Sequence, residues 1–168
     1  MMSKTIGWAT VLIIIAGIIQ SSLLSKIAIF HVIPDLALII LVYISYVNGS
    51  MTGQITGFAS GFLLDFLSLA PLGFNALSRT IIGSLIGLMK GTFFLDIIIF
   101  PVLLCAGATI VKAIIISVIH FLFNANTPTY NFASNILWIE VALNAIAGPF
   151  VFAFLKLFKK VLTPRKEN

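Results

Sequence analysis

The sequence predicts an all-α integral membrane protein, a bundle of six transmembrane helices. Apolar residues make up 60% of the 168 residues and charged residues only 9%, whereas a soluble domain is about one quarter charged. Because this apolar excess is too large for one protein core, lipid has to solvate part of the surface. Six apolar segments follow one another with only short connectors. We therefore expect a single transmembrane domain over residues 1–168.

The expected spans follow from the length of helix that crosses a bilayer, about 20 apolar residues. They cover about residues 6–24, 34–47, 51–69, 74–93, 95–123 and 134–158. The first span also has the length of a signal-peptide core. No A-x-A cleavage pattern follows it and further apolar spans do, so we interpret it as a retained helix.

The second span is the shortest, with about fourteen residues, which is marginal for crossing lipid. Proline disfavours helical geometry in the residue before it, so we expect this helix to begin at Pro34-Asp35. The apolar residues 27–32 upstream then lie at the membrane interface or re-enter the membrane. A single kinked span over residues 27–47 is the alternative.

Basic residues are distributed unevenly, and their distribution predicts the topology. The net charge is +5, and half of the basic residues lie in the last thirteen positions. With six spans and a cytoplasmic N-terminus, only Lys26 lies on the outer side. The cytoplasmic side then holds Lys4, Lys90, Lys156, Lys159, Lys160, Arg165 and Lys166. We expect both termini in the cytoplasm, with the basic tail near anionic lipid rather than nucleic acid.

Four ionisable residues fall inside spans: Asp65, Arg79, Lys112 and Glu140. Each costs roughly 2.5–3.5 kcal/mol at a helix centre, so each is expected to face protein. Asp65 and Arg79 lie about 6–8 Å below the outer surface on antiparallel neighbours, which predicts an ion pair. Lys112 and Glu140 differ in depth by roughly 7 Å, which a lysine stem can bridge. Such pairs either lock helices together or form a polar site for a substrate, a proton or a partner residue.

Glycines recur at four-residue spacing on two adjacent spans. They are Gly53, Gly57 and Gly61 on the third span and Gly83, Gly87 and Gly91 on the fourth. This spacing places three glycines on one helix face, and in lipid such a face lets another backbone approach closely. We favour packing within the bundle, and the alternative is a groove for the helix of a partner.

No catalytic residue, cofactor or metal site is expected. His120 lies near the outer end of the fifth span, where a lone histidine is interfacial more often than a metal ligand. Cys105 is the only cysteine, so there is no Cys/His cluster for zinc. No Ser-His-Asp arrangement or glycine-rich phosphate loop stands out. The sequence therefore predicts a protein that is not an enzyme.

An ordered series of short motifs occupies residues 34–87, about a third of the chain. The motifs are Pro34-Asp35-Leu36, Tyr43 in an apolar run, Gly57-Phe58, Leu64-Asp65, and the outer turn Pro71-Leu72-Gly73 with Ala76-Leu77. In order and spacing, this series resembles the MreD family of bacterial rod shape-determining proteins. Size, number of spans and the basic tail are also similar to that family.

The resemblance implies a non-catalytic subunit of the cell-elongation complex in the bacterial cytoplasmic membrane. Its expected partners are an MreC-like bitopic protein, the actin-like MreB, the glycan polymerase RodA and the transpeptidase of RodA. The resemblance also implies a fold similar to the S components of energy-coupling-factor vitamin transporters. A small-molecule-binding transporter subunit is therefore the alternative. An S component is expected to dock through small residues on its first span, where Ala9, Ala16 and Gly17 form no four-residue repeat.

Overall fold

The computed structural model describes residues 2–22, 32–67, 71–91, 98–123, 135–158 and 162, and these residues form six α-helices. The helices are α1 (Met2–Ser22), α2 (Leu36–Asn48), α3 (Ser50–Leu67), α4 (Phe74–Leu88), α5 (Ile99–Phe123) and α6 (Asn135–Leu157). Each coincides with one expected span. The predictions for Lys26, residues 27–31 and the basic residues Lys159, Lys160, Arg165 and Lys166 lie outside the described residues.

The largest difference from the predicted spans lies between α4 and α5. The fourth span was expected to continue to residue 93, but α4 ends at Leu88. Gly91 has a left-handed backbone, with φ of +76°, and this conformation is incompatible with a continued right-handed helix. Gly91 therefore belongs to a turn and not to the glycine face of α4.

Helix α2 is the central element of the bundle. It contacts each of the other five helices, and every side chain from Ala37 to Tyr46 is buried. A helix that is apolar on all sides is typical of such a position. Since α2 is surrounded by protein, its thirteen residues do not have to match the thickness of a bilayer.

Both ends of α2 are set by local signals. Residues 32–35 are not helical, and Asp35 caps the helix that begins at Leu36. This start agrees with the prediction from Pro34 to within two residues, and it disagrees with one kinked helix over 27–47. At the other end, Gly49 alone separates α2 from α3, with φ of +99°, a conformation that glycine adopts without a steric penalty.

The surface differs from that of a soluble protein, and so does part of the interior. The exposed side chains of the helices are mostly large and apolar, such as Trp8, Phe62, Val118 and Phe150. The buried side chains include charged ones, among them Asp35. In the described part, Ile99–Leu122 and Asn135–Leu157 are long and apolar enough to cross a membrane, and the apolar helices Thr5–Gln20, Leu36–Asn48 and Phe74–Leu88 are shorter.

Candidate functional site

Asp35 is the centre of a buried polar site. As the N-cap of α2, it accepts a hydrogen bond from the backbone amide of Leu38 at 3.0 Å. The same carboxylate binds two cations from other helices. Its Oδ1 lies 3.3 Å from Arg79 Nη2 on α4, and its Oδ2 lies 2.7 Å from Lys112 Nζ on α5. The residue that begins α2 therefore also ties this helix to α4 and α5.

Lys112 extends the network to α6. Its Nζ lies 2.8 Å from Glu140 Oε1, so this lysine bridges two carboxylates. Asn144 follows Glu140 by one helical turn. Its Oδ1 accepts a hydrogen bond from the Asp35 amide at 2.7 Å, and its Nδ2 donates to Thr109 Oγ1 at 2.9 Å. Four helices thus meet at one site, which we call the charge network: Asp35, Arg79, Lys112, Glu140 and Asn144.

The formal charges of the charge network cancel, since two carboxylates face two cations. Burial of charges is tolerable when the ions pair and their remaining groups form hydrogen bonds. The groups of the charge network meet this condition, with one exception. Arg79 Nη1 is buried and has no hydrogen-bond partner among the described residues. The geometry fits a lock that holds α2, α4, α5 and α6 in register.

The predicted Asp65–Arg79 ion pair is wrong. Arg79 pairs with Asp35, whereas Asp65 binds the start of α4. Its carboxylate accepts hydrogen bonds from the amides of Gly73 and Asn75 at 2.9 Å and of Ala76 at 3.2 Å. It also accepts a hydrogen bond from Asn75 Nδ2 at 2.9 Å.

The reason for this arrangement is the residue at the N-cap of α4. Gly73 occupies that position with φ of +93°, and it has no side chain to satisfy the first amides of the helix. Asp65 reaches across from α3 and accepts from the amides that a capping side chain would bind. The negative charge also suits the positive end of the helix dipole. Asp65 therefore fixes the outer-turn motif Pro71-Leu72-Gly73.

The two glycine faces pack against each other. A Cβ at Gly53 would collide with the backbone of Gly83, and a Cβ at Gly57 would collide with the backbone of Arg79. At Gly61 a Cβ would lie 2.5 Å from the carbonyl oxygen of Asn75. Gly87 likewise meets the backbone of Ser50. The glycines permit α3 and α4 to pack backbone against backbone.

This packing contradicts the alternative in which the glycines line a groove for a partner. Both faces are already filled by backbone of the same chain, so no helix of another protein can enter there. Gly91 takes no part in the packing, because it lies beyond the end of α4 and a Cβ there would meet open space.

Sequence reasoning missed Asp35 and Asn144 as members of the site. Asp35 was interpreted only as the start of the second span and as part of the motif Pro34-Asp35-Leu36. Asn144, a polar residue one turn from Glu140 on an apolar helix, was the available signal. His120 lies in the last turn of α5 and is not a member of the charge network. No group of three metal-ligating side chains occurs among the described residues.

A helical bundle with apolar side chains outside and charges inside is the architecture of a membrane protein. The model of one such family, the rod shape-determining protein MreD, matches residues 2–161. The chain belongs to the MreD family. The match confirms the resemblance seen in residues 34–87 and extends it to nearly the whole chain. Neither the curated proteins nor the solved structures gave a significant match. The expected likeness to S components therefore stays a prediction.

Proposed function

We propose that the protein is a non-catalytic scaffold subunit of the cell-elongation complex. The observation that carries this proposal is the family match, which implies a role in determining rod shape. The alternative of a vitamin-transporter subunit finds no support in the comparisons. The buried charges are in keeping with a scaffold function, because they connect helices of one chain.

The proposed topology has six spans and both termini in the cytoplasm of the bacterial inner membrane. The distribution of lysine and arginine supports this orientation. At the proposed cytoplasmic end, Lys90 Nζ donates to the carbonyl of Asn48 at 3.0 Å, so this cation lies at the same level as the turn between α2 and α3. The charge network and the outer turn then lie in the outer half of the bundle.

The proposed partner is an MreC-like bitopic protein, with MreB, RodA and its transpeptidase in the same complex. A scaffold of this kind needs a rigid fold and an outward surface that a partner helix can contact. The rigid fold comes from the glycine packing of α3 on α4 and from the charge network. The outward surface is apolar, so association in the membrane rests on packing and on interhelical hydrogen bonds.

The test is depletion of the protein from its native cells. We expect rod-shaped cells to widen and become round, and the unaltered gene to restore their shape. A Gly107→Leu variant is the matched control, because a Cβ at Gly107 would meet open space, and it should also restore rod shape. Cells that stay rod-shaped after complete depletion would contradict the proposal.

A further inference from the structure

Asn48 joins three parts of the chain at the end of the bundle that holds the turn between α2 and α3. Its Nδ2 donates to the carbonyl of Ile44, one turn earlier in α2, at 3.1 Å. The same Nδ2 donates to the carbonyl of Leu162, beyond α6, at 2.9 Å. The carbonyl of Asn48 accepts a hydrogen bond from Lys90 Nζ at 3.0 Å. One residue thus ties the last turn of α2 to the segment after α6 and to the turn after α4.

Leu162 belongs to the hydrophobic core although it lies beyond the last helix. Helix α6 ends at Leu157, and the amide of Leu162 donates to the carbonyl of Phe158 at 3.1 Å, as in a further helical turn. The side chain of Leu162 is 0% exposed and packs in the same apolar cluster as the buried residues of α2. A buried leucine and a hydrogen bond therefore attach the segment after α6 to the central helix.

The sequence around Leu162 makes this attachment a narrow one. Residues 159–166 read Lys-Lys-Val-Leu-Thr-Pro-Arg-Lys, so most of them are basic or polar. Lysine and arginine are almost never fully buried without a partner, which leaves few apolar side chains in this stretch for the core. A segment that buries few apolar side chains opens at a lower free energy than the helices on which it rests.

The contact acts on one end of α2 only. At the other end, Asp35 holds the helix through the charge network. Gly49 alone separates Asn48 from the start of α3, so a movement of Asn48 is passed directly to the turn. The stem of Lys90 lies over this turn, since a Cβ at Gly49 would come within 3.2 Å of Lys90 Cδ.

We propose that the segment after α6 is a releasable latch on the central helix, an inference that is independent of the proposed partner. In the closed state, Leu162 is seated in the apolar cluster and Asn48 holds its carbonyl. Release exposes Leu162 to solvent and loosens the turn between α2 and α3. The charge network at the opposite end of α2 and the glycine packing of α3 on α4 do not involve Leu162 and stay intact.

Cysteine labelling in mild detergent measures the release. Leu162→Cys is treated with a water-soluble maleimide, and peptide mass spectrometry separates its product from that of Cys105, the only cysteine of the sequence. Cys105 is buried and supplies the slow reference, whereas Lys90→Cys, at an exposed position, supplies the fast one. We expect position 162 to react more slowly than position 90. Equal rates at the two positions overturn the inference.

A substitution at Asn48 tests the hydrogen bond of the latch. Serine at this position still bonds the Ile44 carbonyl four residues earlier, but it is too short to reach Leu162. We expect Asn48→Ser to raise the labelling rate at position 162 roughly two- to twelvefold, the worth of one hydrogen bond. Ser45→Ala, which removes only a bond to the Leu41 carbonyl within α2, is the matched control and should leave the rate unchanged. An unchanged rate in Asn48→Ser overturns the inference.

Two shortened chains separate Leu162 from the basic residues that follow it. One chain stops after Thr163 and keeps Leu162, and the other stops after Val161 and lacks it. Hydrogen exchange is followed at the amide of Gly49, which donates to the Ser45 carbonyl at 2.8 Å. We expect faster exchange in the shorter chain and an unaltered rate in the longer one, and equal rates in both overturn the inference. If the shorter chain does not stay monodisperse, the labelling rates decide.

Discussion

Asp35→Asn is the substitution that probes the charge network most sharply. An asparagine has nearly the shape of aspartate and is an equally good N-cap, so the hydrogen bond from Leu38 should persist. The negative charge between Arg79 and Lys112 is lost. The network then holds two cations against Glu140 alone, and its formal charge changes from zero to +1.

Breaking a buried ion pair by removal of one partner costs about 3–5 kcal/mol. We expect a loss of this size, because the Asp35 side chain is only 6% exposed and water cannot replace it. A typical domain is stable by about 5–15 kcal/mol, so the loss is a large fraction of the total. A second substitution, Lys112→Met, removes the excess cation. The double variant should therefore be more stable than the sum of the two single losses implies.

The assay is the fraction of monodisperse protein after heating in mild detergent, measured for the single and double variants side by side. We expect a lower melting midpoint for Asp35→Asn and partial recovery in the double variant. Equal midpoints for Asp35→Asn and the unaltered protein would refute the charge network as a stabilising lock. Strictly additive losses would show that Asp35 and Lys112 are not coupled.

Three further predictions follow from the packing and the charge distribution. Asp65→Ala should destabilise the outer turn. Because Asp65 and Arg79 have different partners, the losses in unfolding free energy caused by Asp65→Ala and Arg79→Ala should add to within about 0.5 kcal/mol in thermal unfolding. Gly57→Leu should abolish monodisperse protein in size-exclusion chromatography, whereas Gly107→Leu, facing open space, should not. Reporter fusions in the turn between α2 and α3 and after Lys160 should both read cytoplasmic; a periplasmic signal at either would exclude the proposed topology.

The positions of the helices could be predicted from the sequence because apolar run length and turn residues determine them. The glycine packing was equally accessible, since four-residue spacing defines one helix face without knowledge of the neighbours. Lys112 and Glu140 lie in contact, as their depths suggested. All three features depend on position along a helix axis, which the sequence reports directly.

The partner of Arg79 could not be predicted in the same way. Depth in the membrane alone made Asp65 a suitable partner for Arg79. Depth does not account for the free amides at the start of α4, which bind the same carboxylate. The central position of α2 in the bundle was not predicted either. Its short apolar run was judged against the thickness of a bilayer, whereas its burial on all sides depends on the arrangement of the other five helices.

We propose that this member of the MreD family acts by holding a partner in the membrane. The most direct measurement is purification of the protein from native membranes in mild detergent, with the MreC-like bitopic protein quantified in the peak fraction. We expect the two proteins to elute together and the subunit to remain monodisperse. Elution of a monodisperse subunit free of the MreC-like protein, from membranes that contain both, would contradict it.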